Sequence, residues 1–327
     1  MKLKAITILF ILSAILTGCG AERNINKGKK MLGLGEYYDA GEQFKKAYSK
    51  TSSTDHEKRG EISRLMAQCY AKINYTGRAV AAYRNMERYK QAKAEDLLEM
   101  GKQQMKIGDY KNAALTFKVA LDSLPGNEQA KNGLEAAMKA PQMKQDGSTY
   151  KVKAATLFNS RRDDYSPMLT GDEYNKIYFT STRNEAKGDE LSAITGTKAA
   201  DIFVCEKDDK DKWGKPEAVS GGLNTEYEEG ACAFSPDGQT MYLTQCSTDP
   251  SYPRYAKIMT SSRSDAAWGK GNDVNISRDT LSSYAHPAIS PDGEWLYFTS
   301  DMPGGMGGLD IWRIRLTKAG LGGVENL

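Results

Sequence analysis

The feature that most constrains this chain is a spacing that recurs in its second half. Trp213 of Trp213-Gly214-Lys215-Pro216 stands ahead of Pro236 of Ser235-Pro236-Asp237-Gly238 by a fixed interval. Trp268 of Trp268-Gly269-Lys270-Gly271 stands ahead of Pro291 of Ser290-Pro291-Asp292-Gly293 by the same interval. Two separate signatures held at one distance mark a structural repeat, and the step from Pro236 to Pro291 is its length. The signatures also have a local meaning. Proline fixes φ, Asp and Gly complete a turn, and a β-branched and aromatic run follows as a strand. Those runs are Thr240-Met241-Tyr242-Leu243-Thr244 and Trp295-Leu296-Tyr297-Phe298-Thr299-Ser300. A looser first copy has Tyr165-Ser166-Pro167 before Lys176-Ile177-Tyr178-Phe179-Thr180-Ser181, with Thr170-Gly171-Asp172 in place of the compact turn and an insertion over 184–197. A third strand follows in each copy: Asp201-Ile202-Phe203-Val204, a weaker Ala256-Lys257-Ile258-Met259, and Asp310-Ile311-Trp312-Arg313. Residues 160–327 therefore read as about three four-stranded units.

The first half has a different composition and its own repeat. Residues 19–150 carry 23 Lys and Arg against 16 Asp and Glu, net +7, and favour helix; residues 151–327 carry 20 against 26, net −6. One copy reads Gly35, Tyr37, Ala40, Phe44, Ala47; another reads Gly108, Tyr110, Ala113, Phe117, Ala120, then Pro125. Between them lie Gly77, Ala79, Tyr83 and Met86. The small residues let paired helices approach, the aromatic fills the gap to the next hairpin, and glycine opens the turn. These residues resemble the tetratricopeptide repeat. The step from Ala79 to Ala113 equals the unit of that repeat, about 34 residues. The step from Ala40 to Ala79 is longer, with the extra length around 52–56. A further helix over 127–139 is expected to cap the last apolar face, and 141–159 reads as a linker after a helical domain over 19–140. The resemblance implies a concave surface for a partner segment; net +7 suggests an acidic partner or an anionic membrane surface, although solvated Lys and Arg faces are the more common source of such a charge.

The N-terminus carries an export signal. Lys2 and Lys4 precede a short apolar run from Ala5 to Leu16, and Leu16-Thr17-Gly18-Cys19 resembles the bacterial lipobox. Residues 1–18 are then a lipoprotein signal peptide and Cys19 the lipidation site, so the chain is anchored to a membrane and not spanning it. Export makes a disulfide possible among Cys205, Cys232 and Cys246, but no Cys-x-x-Cys spacing points to a zinc site.

The β repeat resembles the PD40, or WD40-like, blade of TolB-type β-propellers. Its fullest copy runs from Ser290-Pro291-Asp292-Gly293 to Asp310 and Trp312. The fold class is thus an α-helical tetratricopeptide solenoid followed by a partial WD40-like β-propeller. Propellers have about four to eight blades. The segment 321–327 aligns with 213–219, after which another blade begins in the earlier copies. A piece of a longer protein is expected, with a ring completed by self-association as the alternative.

Chemistry is sparse. The charge of 45 Lys and Arg against 42 Asp and Glu does not suggest a nucleic-acid binder. His56, in the repeat linker, and His286, ahead of a blade strand, lack ligand-spaced companions. Gly304-Gly305-Met306-Gly307-Gly308 lies between strands and reads as a loop. Asp208, Asp209 and Asp211 read as a solvated hairpin tip. No cofactor, metal or enzymatic activity is expected. The order lipobox, tetratricopeptide repeats, PD40 blades resembles Bacteroidota envelope lipoproteins, including the OmpA-family peptidoglycan-binding lipoprotein type of the type IX secretion system. That resemblance implies a scaffold lipid-anchored to the outer membrane and facing the periplasm. It would bind envelope proteins through the helical groove and the propeller, and bind peptidoglycan only if an OmpA-like domain follows. The alternative is a sensor binding a glycan or peptide at the propeller mouth.

Overall fold

The computed structural model describes residues 20–188, 191–246, 255–264 and 267–327. Cys19 and the signal segment lie outside the described residues. Two compact units emerge: Met1–Val152 with Ala193–Gly196, and Lys153–Ser192 with Thr197–Leu327.

The first unit is built of antiparallel helix pairs. Helix α1 spans 20–33. It is followed by α2 (Tyr37–Lys50), α3 (His56–Lys72), α4 (Thr76–Arg88), α5 (Ala94–Lys106), α6 (Tyr110–Ser123) and α7 (Glu128–Asp146). The expected signature occupies α2, α4 and α6, the second helix of each pair. Ala40, Ala47, Ala79, Ala113 and Ala120 are fully buried. Phe44 and Phe117 lie against the first helix at a glycine: a Cβ on Gly28 or Gly101 would sit 2.6 Å from the ring. In the middle pair Ala67 takes that place and packs in one cluster with Tyr83. Gly35 and Gly108 end α1 and α5 at φ +77° and +75°, a left-handed conformation that glycine adopts without strain. The middle copy differs from expectation. Gly77 lies inside α4, and Asn74 (φ +56°) is the left-handed residue that ends α3; asparagine is the usual substitute there. Helix α7 runs on through Pro141, where the linker was expected to begin, and stops before Gly147 at φ +75°. His56 is the first residue of α3 and stacks on Tyr89, ring centroids 5.2 Å apart.

Among the described residues the second unit holds three antiparallel sheets, each repeating the same plan. The first is β1 (Asp164–Thr170), β2 (Lys176–Ser181), β3 (Asp201–Glu206) and β4 (Glu217–Ala218). The second is β5 (Glu228–Phe234), β6 (Thr240–Cys246), β7 (Ala256–Ser264), then β9 (Asn272–Asp273), with β8 (Ala267–Trp268) folded back on β7. The third is β10 (Tyr284–Ile289), β11 (Trp295–Ser300), β12 (Asp310–Thr317) and β13 (Gly320–Asn326). The fourth strand closes identically each time: Val219, Val274 and Leu327 donate their amides to the carbonyls of Ile202, Ile258 and Ile311 at 3.0, 2.9 and 3.1 Å. The two full turn signatures also match atom for atom. The Thr240 amide donates to Ser235 Oγ and the Trp295 amide to Ser290 Oγ, both at 2.9 Å. The Gln239 and Glu294 amides donate to Asp237 and Asp292 at 3.0 and 2.9 Å. Gly238 and Gly293 sit at φ +67° and +74°.

Successive sheets pack face to face. Tyr178, Ile202, Phe234, Met241 and Trp268 form the core between the first and second. Ile258, Tyr284, Phe298, Trp312 and Ile314 form the core between the second and third. Each first strand carries a bulge at a residue of positive φ: Ser166, Ala231 and His286, at +51°, +48° and +55°. His286 therefore lies within a strand, not ahead of one, because the bulge absorbs the extra residue. The bulge amide latches the sheet before it. Ala231 donates to Thr180 Oγ1 and His286 to Thr244 Oγ1, both at 2.9 Å. Thr180 is fully buried. Thr180→Val keeps the shape and orphans a buried amide, so the β unit should lose about 1–3 kcal/mol. Denaturant unfolding followed by tryptophan fluorescence checks this, because Trp213, Trp268, Trp295 and Trp312 all lie in this unit.

A candidate groove on the helical array

The first helices of successive pairs line a groove of about 680 Å³. Leu32 comes from α1, Gln68, Ala71 and Lys72 from α3, and Glu99, Lys102, Gln103 and Lys106 from α5, with Tyr37 and Tyr83 entering from the second helices. Every polar lining residue on α3 or α5 has another three or four positions along the same helix, the spacing that holds side chains on one face. The floor is aromatic and aliphatic and the rim is charged.

The charges do not cancel. Lys102 donates to Glu99 Oε1 at 2.6 Å and to Gln129 Oε1 at 2.8 Å. Among the described residues Lys106 donates only to the neutral Asn74 Oδ1, at 2.9 Å. Lys72 is exposed and has no ion-pair partner among the described residues. Two ammonium groups thus face the groove uncompensated. Gln103 is 4% exposed, and its Oε1 has no hydrogen-bond partner. A buried amide acceptor left unsatisfied is uncommon and costly. Burial pushes the Tyr83 hydroxyl well above its ordinary range, helped by the nearby Glu99 and Asp96 carboxylates, so it enters the groove as a neutral phenol.

The expected site residues divide cleanly. Tyr37 and Tyr83 line this groove, and Tyr110 lines a second depression of about 490 Å³ with Met105, Glu135, Lys139 and Met143. The other repeat-signature residues are core or turn. Pro125 lies in the turn between α6 and α7, ahead of Gly126 at φ +83°. Lys72, Gln103 and Lys106 were not singled out in the sequence; the net charge of their half was the only signal.

In the β unit the blade-signature residues are structural. Asp310 accepts the amides of Met306 and Gly307 at 2.6 and 3.2 Å, so the glycine-rich loop spends those donors on its own chain. Trp312 donates Nε1 to Ser300 O at 3.1 Å. A depression of about 390 Å³ lies beside β4, lined by Tyr178, Lys215 and Trp268; it is at the outer strand of the first sheet. The disulfide considered among Cys205, Cys232 and Cys246 is not formed. All three thiols are free, as is Cys69, and burial pushes Cys232 and Cys246 up to about 12. Among the described residues no group of three or more His, Cys, Asp or Glu side chains is placed to hold a metal ion. No described helix is long and apolar enough to cross a membrane.

No family model matches the chain, and no curated protein matches it. Solved structures are similar to parts of it. The Arabidopsis OM64 TPR domain is 17% identical over 38% of this chain and 98% of its own, with a TM-score of 0.33. The first TPR of Spaghetti (RPAP3), bound to the HSP90 peptide SRMEEVD, is 16% identical over 38% of this chain and 94% of its own, with a TM-score of 0.33. A thermostable family-43 glycoside hydrolase is 17% identical over 52% of this chain and 60% of its own, with a TM-score of 0.32.

Proposed function

We propose that the chain is a protein-interaction scaffold whose helical groove takes an extended, acidic segment of a partner protein. The observation that carries this is the placing, in one groove with Leu32, Tyr37 and Tyr83, of Lys72 and Lys106, neither of which has a carboxylate partner among the described residues. A bound segment would give Lys72 and Lys106 carboxylates, while its apolar side chains rest on Leu32 and Tyr83. Nothing in this reading requires chemistry on the partner, and the scaffold is not an enzyme.

The lipobox reading places the scaffold in the cell envelope. An acyl group on Cys19 would hold the body on the outer membrane, and the β unit would add a second docking surface. The domain order further suggests an envelope complex of the type IX secretion kind. A photo-crosslinking residue at Gln68, exposed on the groove rim, tests the scaffold in cells. Discrete adducts with one or a few envelope proteins are expected from Gln68 and not from Leu115, which is 57% exposed on α6 outside the groove lining. No adduct, or the same adducts from both positions, would contradict it.

A further inference from the structure

Helix α1 begins at Gly20, the residue that follows Cys19, and it is packed from its first turn. Ala21 and Ile25 are buried, and Ile25 shares a cluster with Phe44, Ala47 and Ile62. An anchor at Cys19 therefore meets the helical unit with no linker between them, consecutive Cα atoms being about 3.8 Å apart. The face of the first helix pair turned away from its core is basic. On α1, Ala21, Ile25 and Gly28 mark the buried side; Arg23, Lys27 and Lys30 share the opposite side and are exposed. The same helix spends its other charges on α3: Glu22 pairs with Lys58 at 2.8 Å and Lys29 with Glu61 at 3.3 Å. On α2, Lys46 and Lys50 are exposed on successive turns. Lys50 reaches the start of α1, where a Cβ on Gly20 would lie 3.5 Å from its Cδ and 3.8 Å from its Nζ. Lys27 and Lys46 both act on the Asp39 carboxyl, so the two stripes border one another. None of these cations makes an ion pair among the described residues. Against them the face holds the half-buried Asp39, with Glu36 beside it. Among the described residues α1 and α2 expose no large hydrophobic side chain, so this face suits a headgroup layer and not the acyl chains beneath it.

We infer that this face is a docking surface for an anionic phospholipid leaflet, on which the first helix pair lies along its length. The inference rests on the acyl anchor of the proposed function. It uses none of the residues that line the groove, so either surface can fail without the other. An anchor one residue away holds the stripe at the leaflet, which gives a lipid surface precedence over an acidic protein. With α1 lying flat, Arg23, Lys27 and Lys30 all come within a Debye length of the lipid phosphates, about 8 Å at physiological salt, where each Lys or Arg adds attraction. An upright α1 would carry Lys30 about 15 Å away, at about 1.5 Å of rise per residue.

Amine footprinting tests this. The mature chain purified from cells is placed on phosphatidylcholine vesicles with or without phosphatidylglycerol, acetylated briefly, and read lysine by lysine by mass spectrometry. Lys27, Lys30, Lys46 and Lys50 are expected to label about fivefold more slowly on the anionic vesicles, a difference that high salt should abolish. Lys111 and Lys118, exposed on α6, should label equally on both. Equal labelling of the four lysines on the two vesicles, or slowing shared by Lys111 and Lys118, overturns the inference. The anchor is scored separately, by the intact mass of the same preparation. A chain without acyl mass refutes the anchor alone, and the footprint with vesicles in excess still decides the basic face.

Discussion

Phe117→Ala should cost the helical unit about 4–5 kcal/mol, the upper end of the range for truncating a buried aromatic. The ring is 1% exposed and lies between two glycines; a Cβ on Gly101 or on Gly133 would come within 2.6 Å of it. Two consequences follow from backbone meeting ring. Removing the ring leaves a cavity that neither neighbour can fill, because neither has a side chain to move. Adding a methyl to Gly101 should also destabilise, by about 1–3 kcal/mol of overpacking, although alanine ordinarily gains about 1 kcal/mol over glycine inside a helix. The two changes should therefore couple: Phe117→Ala with Gly101→Ala should cost less than the sum of the single variants. Loss of the far-ultraviolet helical signal in denaturant measures each. Tryptophan fluorescence, which arises wholly in the β unit, should not register the change. A Phe117→Ala cost under about 1 kcal/mol would mean that the ring does not seal the hairpin as described.

The β unit should be more stable near pH 5 than near pH 8, against the usual trend for carboxylates. Glu229 is 1% exposed, at the joint between the first and second sheets, where its amide donates to Ala200 O at 2.8 Å. Burial pushes its carboxyl from 4.5 up to about 7, opposed by hydrogen bonds from Thr225 and Gln245 and reinforced by the charge of Asp201. Asp201 is itself raised by burial, and its Oδ1 has no hydrogen-bond partner. Below about pH 4.5 Glu229 is protonated in both the folded and unfolded chains and contributes no difference. Between 4.5 and 7 the unfolded chain releases the proton while the folded chain keeps it, so stability falls as pH rises. The full loss from Glu229, about 3 kcal/mol, is present above pH 7. Glu229→Gln should flatten this slope and be the more stable protein near pH 8. Denaturant midpoints by tryptophan fluorescence at the two pH values decide it; a slope unchanged in the variant would remove Glu229 as its source.

Both repeats were legible because their signals are local. The Ala-aromatic-small spacing lies within one helix, and Ser-Pro-Asp-Gly encodes its own turn, down to the matched bonds of Ser235 and Ser290. What was not legible depends on two segments at once. Gly28 and Gly101 look like helix-weakening residues until Phe44 and Phe117 are placed against them. Asn74 stands where the other copies have a turn glycine, and the nearby Gly77 lies inside α4. The bulges share a following proline in Ser166-Pro167 and His286-Pro287, but Ala231-Cys232 breaks that pattern, so the threonine latches could not be read from it. The groove is the extreme case. Lys72 and Gln103 come from different helices, and the net charge of the helical half announced a basic unit without saying which lysines lack partners.

What that groove accepts decides the function of the helical unit. Fluorescence anisotropy of the full chain with a pool of extended, Asp- and Glu-rich peptides addresses it directly, with the matching Asn and Gln peptides as controls. Saturable binding of acidic members is expected, weakening as salt screens the lysines. It should fall by about tenfold or more, ~1.4 kcal/mol, in the Lys72→Glu, Lys106→Glu double variant, with unfolding of both units unchanged. Absence of saturable binding, or binding that neither salt nor the double variant weakens, would contradict the account.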